Sequence, residues 1–183
     1  LFSLSAAQAQ RIFTTNEVRQ FMSRGEQNGI EIILNGTSTN DAKGGLKKLA
    51  KKFDAKVVTA KKSPETLLDN AQISTVSANT IDIYAIVTPI DNGSKVTFFT
   101  DLGGAFITSY AYGTQYAAME SVIKDFAQSL ALDNVSDQIK KKEKYLKKIK
   151  KKLKTIKKEK EKALKEIEKA KAKIAELEQN IIK

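Results

Sequence analysis

The chain contains no cysteine, no histidine and no tryptophan, and only two prolines in 183 residues. Without cysteine there is no disulfide framework and no thiolate to act as nucleophile or ligand. Without histidine, the side chain that titrates near neutral pH and the commonest zinc ligand are both missing. Ser-His-Asp and Cys-His catalysis, histidine-ligated haem and almost every transition-metal site are thereby excluded. No apolar run approaches the ~20 residues that a helix needs to span a bilayer. Glycine motifs are missing as well. There is no GxGxxG and no GxSxG, and Gly36–Gly45 fails the P-loop pattern because Asp41 occupies the second glycine position and Leu46 follows Gly44-Gly45. The sequence implies no cofactor and no metal.

What is present is distributed unevenly. Residues 1–136 hold 13 basic and 13 acidic side chains, whereas residues 137–183 hold 19 lysines and 8 acids. The net charge of +11 therefore belongs to the last 47 residues. This step divides the chain into a balanced globular part and a cationic appendage.

The amino terminus, Leu1 to Gln10, passes from a short apolar run to small residues, and Arg11 is its first charge. Ala7-Gln8-Ala9 is an A-x-A pattern of the kind that precedes signal-peptidase cleavage. It predicts residues 1–9 as the remnant of a signal peptide, cleavage before Gln10, and an exported, periplasmic protein. No cysteine follows the site, which argues against a lipid anchor.

In the following segment, Gly29–Gly36 is rich in β-branched residues and closes on a turn signal. Thr37–Asp41 is suited to starting a helix, and Leu46, Leu49, Ala50 and Phe53 then recur at helical spacing. Lys56–Thr59 reads as a short strand, and residues 60–79 read as connection, with Ser63-Pro64-Glu65 opening a turn of helix or a loop. Ile81, Ile83, Ala85 and Val87 alternate with Asp82, Tyr84, Ile86 and Thr88. Asp91-Asn92-Gly93-Ser94 is a tight turn, after which Val96, Phe98, Thr100 and Leu102 alternate again. This predicts a β-hairpin, with Gly103-Gly104 ending or bulging it and Ala105-Phe106-Ile107 extending it. Met119, Val122, Ile123, Phe126, Ala127 and Leu130 mark one face of a covering helix. The predicted order is β-α-β-β-β-α. It implies an α+β head over 10–133, with a small, mainly antiparallel sheet carrying helices on one face. A ferredoxin-like arrangement lacking its last strand is the nearest common topology.

Residues 134–183 predict a long C-terminal coiled-coil helix. Ile139, Leu146, Leu153, Ile167, Ile174 and Ile181 are spaced by seven or fourteen residues. With these at heptad position a, Ile149, Ile156, Ala163, Ala170 and Leu177 fall at d. Gly and Pro are absent from the segment, and Leu132 and Val135 continue the register upstream. Lys142 at d and Lys160 at a interrupt the seam. In a parallel dimer, g-to-e′ pairing sets Lys152 against Lys157, which repels, but Glu166 against Lys171 and Lys173 against Glu178, which attract. The competing interpretation is a lone helix supported by Lys/Glu pairs along its own surface.

Three segments also carry a resemblance. Val18–Gly29, Asn79–Ala85 and Phe99–Phe106 resemble segments of a family of uncharacterised exported proteins of Gram-negative bacteria. Its members combine a signal peptide, a small α/β head and a Lys/Glu-rich C-terminal coil. The resemblance implies an envelope location and no assigned activity. It transfers no site residue. The coil of this chain reaches Lys183 with the heptads still running.

Two features of the head remain as candidate chemistry. Asp82 and Asp101 fall on adjacent strands, where a carboxylate pair can do acid–base work if burial separates its pKa values. Gly103-Gly104 follows a strand and offers backbone amides to an anion. Lys43, Lys47, Lys48, Lys51, Lys52, Lys56, Lys61 and Lys62 form a second basic cluster. Together with the coil, it suits anionic envelope components or acidic proteins. Nucleic acid is the weakest partner, because these stretches hold lysine rather than arginine and little aromatic character. The sequence thus points to a non-enzymatic structural or interaction protein that binds itself or another protein through its coil. The alternative is a basic coiled-coil periplasmic holdase for acidic or unfolded clients.

Overall fold

The structure, a computed structural model, describes residues 13–59 and 63–181, with side chains to Glu178. The signal-like segment 1–9, Lys61, Lys62 and the Ile181 side chain lie outside the described residues. The elements are β1 (Thr15–Met22), β2 (Gly25–Asn35), α1 (Thr39–Lys52), β3 (Lys56–Thr59), β4 (Glu65–Ala71), β5 (Ile81–Ile90), β6 (Gly93–Asp101) and α2 (Gly113–Ile181). The chain divides between Asn134 and Val135 into two units.

In the first unit, the alternating segment forms the hairpin that it predicts. β5 and β6 pair in register from Asp82↔Asp101 to Ile90↔Gly93 and occupy the centre of a six-stranded antiparallel sheet. Gly93 has φ +144°, and a Cβ there would lie 2.2 Å from the Leu34 carbonyl oxygen, so only glycine fits this corner. The strand order is β1-β2-β6-β5-β4-β3. On one face Ile30, Ile32, Leu34, Ile83, Ala85, Val96 and Phe98 pack against Leu46, Leu49 and Ala50 of α1 and Met119, Ile123, Phe126 and Leu130 of α2. Each such side chain contributes about 1.5–3 kcal/mol on full burial, so this layer is a core in its own right. Ser38 caps α1 by accepting the Asp41 N–H at 3.1 Å.

The α+β class holds, but the order of elements is β-β-α-β-β-β-β-α, with two strands more than the pattern suggests. β1 was hidden because it is an edge strand whose polar and apolar residues do not alternate cleanly. β4 falls in the stretch 60–79 read as connection. Its adjacent Leu67 and Leu68 serve opposite faces, and its register with β5 shifts between Leu68 and Ala71 at Asn70, which has φ +59°. With four consecutive neighbours running β6-β5-β4-β3, the sheet is a meander closed by the β1–β2 hairpin, not a ferredoxin-like arrangement. After β6 the chain does not extend the strand. Leu102 N–H bonds Ala105 C=O, Ile107 N–H bonds Thr100 C=O, and only one bridge, Asp101↔Phe106, is made.

The second face of the sheet is covered by the sheet itself. β2 pairs with β6 only over Ile30–Asn35, while Gly25–Gly29 pairs with β1 alone. In a flat sheet β2 and β4 would lie three strand spacings apart, about 14 Å. Yet Ser23, between β1 and β2, donates its N–H to Glu65 of β4 at 2.5 Å, and Arg24 Nε donates to the Tyr84 hydroxyl at 3.2 Å. The hairpin therefore bends over the sheet. Gly29 permits the bend, since a Cβ there would come within 2.9 Å of the Phe99 ring and of Thr97. Beneath the bend Tyr84, Ile86 and Phe99 form a second apolar cluster with Met22, Leu67 and Phe106.

Candidate functional site

The strongest candidate surface lies on the second unit. Every residue from 135 to 178 is exposed. The heptad positions fall on α2 as predicted, and Ile139, Leu146, Ile149, Leu153, Ile156, Ile167, Ile174 and Leu177 lie between 43% and 59% exposed. Leu164 at e and Tyr145 at g widen the stripe. A helix of 44 residues, 135–178, extends the stripe over about 65 Å at 1.5 Å per residue. Side-chain support along the helix is thin. Among the described residues of this segment, one ion pair closes within 4 Å, Lys140 to Asp137 at 3.4 Å. Exposed pairs of this kind contribute at most about 0.5 kcal/mol. They do not compensate a stripe of large aliphatic side chains left in water, each of which would gain about 1.5–3 kcal/mol by burial.

In the first unit, Asp82 and Asp101 are direct register partners. Both, however, are engaged. Asp82 Oδ1 accepts the Asn70 N–H at 3.0 Å, at the irregularity in β4. Asp101 Oδ1 accepts the N–H groups of Gly103 and Gly104 at 2.9 and 2.6 Å. The amide cradle of Gly103-Gly104 is thus filled by the chain's own carboxylate. The Tyr84 hydrogen bond, with Asp101 and Asp82 nearby, raises the Arg24 guanidinium above its ordinary range. The pair pins turns and faces a cation, an arrangement for structure rather than proton transfer.

A third cluster escaped the sequence. Glu17 of β1 accepts from Asn28 Nδ2 at 2.9 Å, from Ser109 N–H at 3.2 Å and from Ser109 Oγ at 2.5 Å. Glu120 of α2 accepts from Thr15 Oγ1 and pairs with Lys124 at 3.0 Å. Burial pushes the Glu17 carboxyl up, but its three hydrogen bonds outweigh this and leave it below the usual range. The Thr15 and Lys124 contacts lower Glu120. Burial first, then the charges of Glu17 and Glu120, raises Tyr116. Partners 92 and 105 residues apart leave no local signal in a sequence.

The basic cluster of α1 is not uniform. Lys48 pairs with Asp133 at 2.8 Å, and the Lys52 ammonium lies 5.1 Å from the centre of the Phe53 ring. Lys43 and Lys47 instead line a cavity of about 180 Å³. Among the described residues no helix is long and apolar enough to cross a membrane, and no group of His, Cys, Asp or Glu is placed to hold a metal ion. No family model, curated protein or solved structure matches the chain.

Proposed function

We propose that this is a non-catalytic structural or interaction protein of the bacterial envelope whose C-terminal helix joins two copies of the chain in a parallel coiled coil. The observation that supports it is a heptad register kept over six repeats, whose large apolar seam residues stand about half-exposed on a single chain. A second copy is the occupant favoured by charge. Glu166 with Lys171 and Lys173 with Glu178 become attractive pairs across a parallel seam. Lys142 and Lys160 weaken the seam and Lys152 repels Lys157, so pairing is strongest toward the C-terminal half. The exported address rests on Ala7-Gln8-Ala9 and on the family resemblance, and the mass of the mature N-terminus checks it.

Sedimentation equilibrium tests the assembly. At about 50 μM the full chain should be a dimer or higher oligomer. Ile174→Lys removes about 2 kcal/mol of apolar burial and strands an ammonium in the seam. Together these weaken association by about a thousandfold or more, giving a monomer with a folded head. Lys160→Ile should tighten association. If all three proteins are monomeric at that concentration, the stripe does not serve self-assembly. Suppression of aggregation of an unfolded outer-membrane protein would then favour the holdase reading.

A further inference from the structure

The cavity beside α1 is built differently from the rest of the lysine-rich surface. Lys43 and Lys47 are four residues apart and so project from the same side of α1. They face the start of β4 and the end of β3 across the cavity of about 180 Å³, whose wall includes Thr59, Ser63 and Thr66. Neither lysine has a carboxylate within ion-pair distance among the described residues.

The opposite wall supplies hydroxyl groups. Thr59 and Thr66 are register partners, so their side chains leave the sheet on the same face. Thr66 also pairs with Ala85, whose side chain belongs to the core beneath the helices, which fixes that face as the one toward α1. Thr66 is only 7% exposed, yet its hydroxyl makes no hydrogen bond among the described residues. Thr66 lines the cavity. Ser63 Oγ accepts the Glu65 N–H at 3.1 Å, which leaves its own O–H free to donate.

The single carboxylate of the wall residues is turned away. Glu65 precedes Thr66 in the strand and therefore projects from the other face, where it accepts the Ser23 N–H. The cavity thus presents two ammonium groups and hydroxyl donors with no anion of its own.

We propose that this cavity binds a phosphate-like tetrahedral oxyanion, either free or as the terminal group of a larger molecule. Lysine serves such groups as a point charge, and charge-assisted hydrogen bonds are about twice as strong as neutral ones. Lys43 and Lys47 are exposed, as the lysines of the C-terminal helix are, and what sets them apart is the cavity that they line. The site stands on the head alone and is independent of how the helix associates.

Amide chemical shifts of the full chain, titrated with inorganic phosphate at constant ionic strength, test the site. One saturable set of shifts is expected at Lys43, Lys47, Ser63 and Thr66. Lys43→Gln with Lys47→Gln should weaken binding at least about tenfold. Thr66→Val should weaken it severalfold, and Thr66→Ser, which keeps the hydroxyl, should restore it. Lys150→Gln with Lys151→Gln should leave it unchanged. A second arm uses phenyl phosphate. Tighter binding than phosphate at the same residues identifies the terminal group of a larger molecule, and equal or weaker binding identifies the free anion. Non-saturating shifts spread over the lysines of the helix, or a double glutamine variant that binds like the parent, would overturn the proposal.

Discussion

The same helix, α2, carries apolar residues at helical spacing in both units, with opposite outcomes. Met119, Ile123, Phe126 and Leu130 are buried against a sheet, whereas Ile149, Leu153, Ile167 and Ile174 stand in solvent. Spacing alone therefore does not say what a stripe packs against. The difference lies in what else is available. The head supplies β-strands whose alternation leaves one face unpaired, and α2 completes it. The residues after Asn134 come with lysine and glutamate over most of the rest of the helix, so the apolar side chains form a stripe of heptad spacing rather than a broad face.

The most drastic way to break this comparison is to remove one side of it. A chain ending at Ser136 should keep a cooperative melt and lose all association, as read by calorimetry and sedimentation. An unfolded truncation would mean that the core depends on the second unit.

Next in size is Phe98→Ala. Phe98 is fully buried and meets Phe126 edge-on with ring centres 5.4 Å apart. Truncation should cost the head about 3–5 kcal/mol in chemical denaturation. The helix content after Asn134 and the mass of the assembly should not change at temperatures below the melt.

A smaller effect sharpens the contrast between a filled and an unfilled apolar stripe. Gly45 of α1 lets α2 approach so closely that a Cβ would lie 2.7 Å from Leu130 and 2.9 Å from Phe126. Gly45→Ala gains helix propensity but overpacks this contact and should destabilise by about 1–3 kcal/mol. Ala163→Leu, at the exposed d position, should instead be neutral or favourable to association. Thermal melts compare the two.

The smallest effect concerns acid. Glu17 and Glu120 titrate in the folded head below their ordinary value of 4.5. A depressed folded pKa contributes stability that is present above the unfolded pKa and is lost as pH falls through the folded one. The head should therefore lose stability below about pH 4.5, more steeply than the C-terminal helix loses its helicity. Glu17→Gln should flatten that slope in melts recorded from pH 6 to pH 3.

Legibility followed the range of the interactions. The β5–β6 hairpin was plain because alternation and a two-residue turn, Asp91-Asn92, are local. The heptads were plain for the same reason. β1 was not, since its sequence Thr15–Met22 mixes charge with apolar residues as befits an edge strand. β4 was not, because Leu67 and Leu68 serve opposite faces and abolish alternation. Asp82 and Asp101 were correctly placed side by side, but their engagement by Asn70 and by Gly103-Gly104 depends on backbone turns that no pattern of residue types encodes. The cavity of Lys43 and Lys47 was blurred into a run of eight lysines, because which of them meets a second wall is fixed only when β3 and β4 pair.

The pairing of β2 with β6 has a consequence for how the chain is made. Ile32 and Val96 are neighbours in the sheet but are separated by 64 residues, and Thr15 meets Glu120 across 105. During synthesis from the N-terminus, β1 and β2 wait unpartnered on one side until β6 emerges, and their floor of α2 arrives later still. Such long loops must close before their contacts stabilise anything, which makes head formation the slow step. The heptads after Asn134 are helical and local, so their helix forms quickly wherever the chain is free to fold, whereas the sheet must wait for strands far apart in sequence to meet.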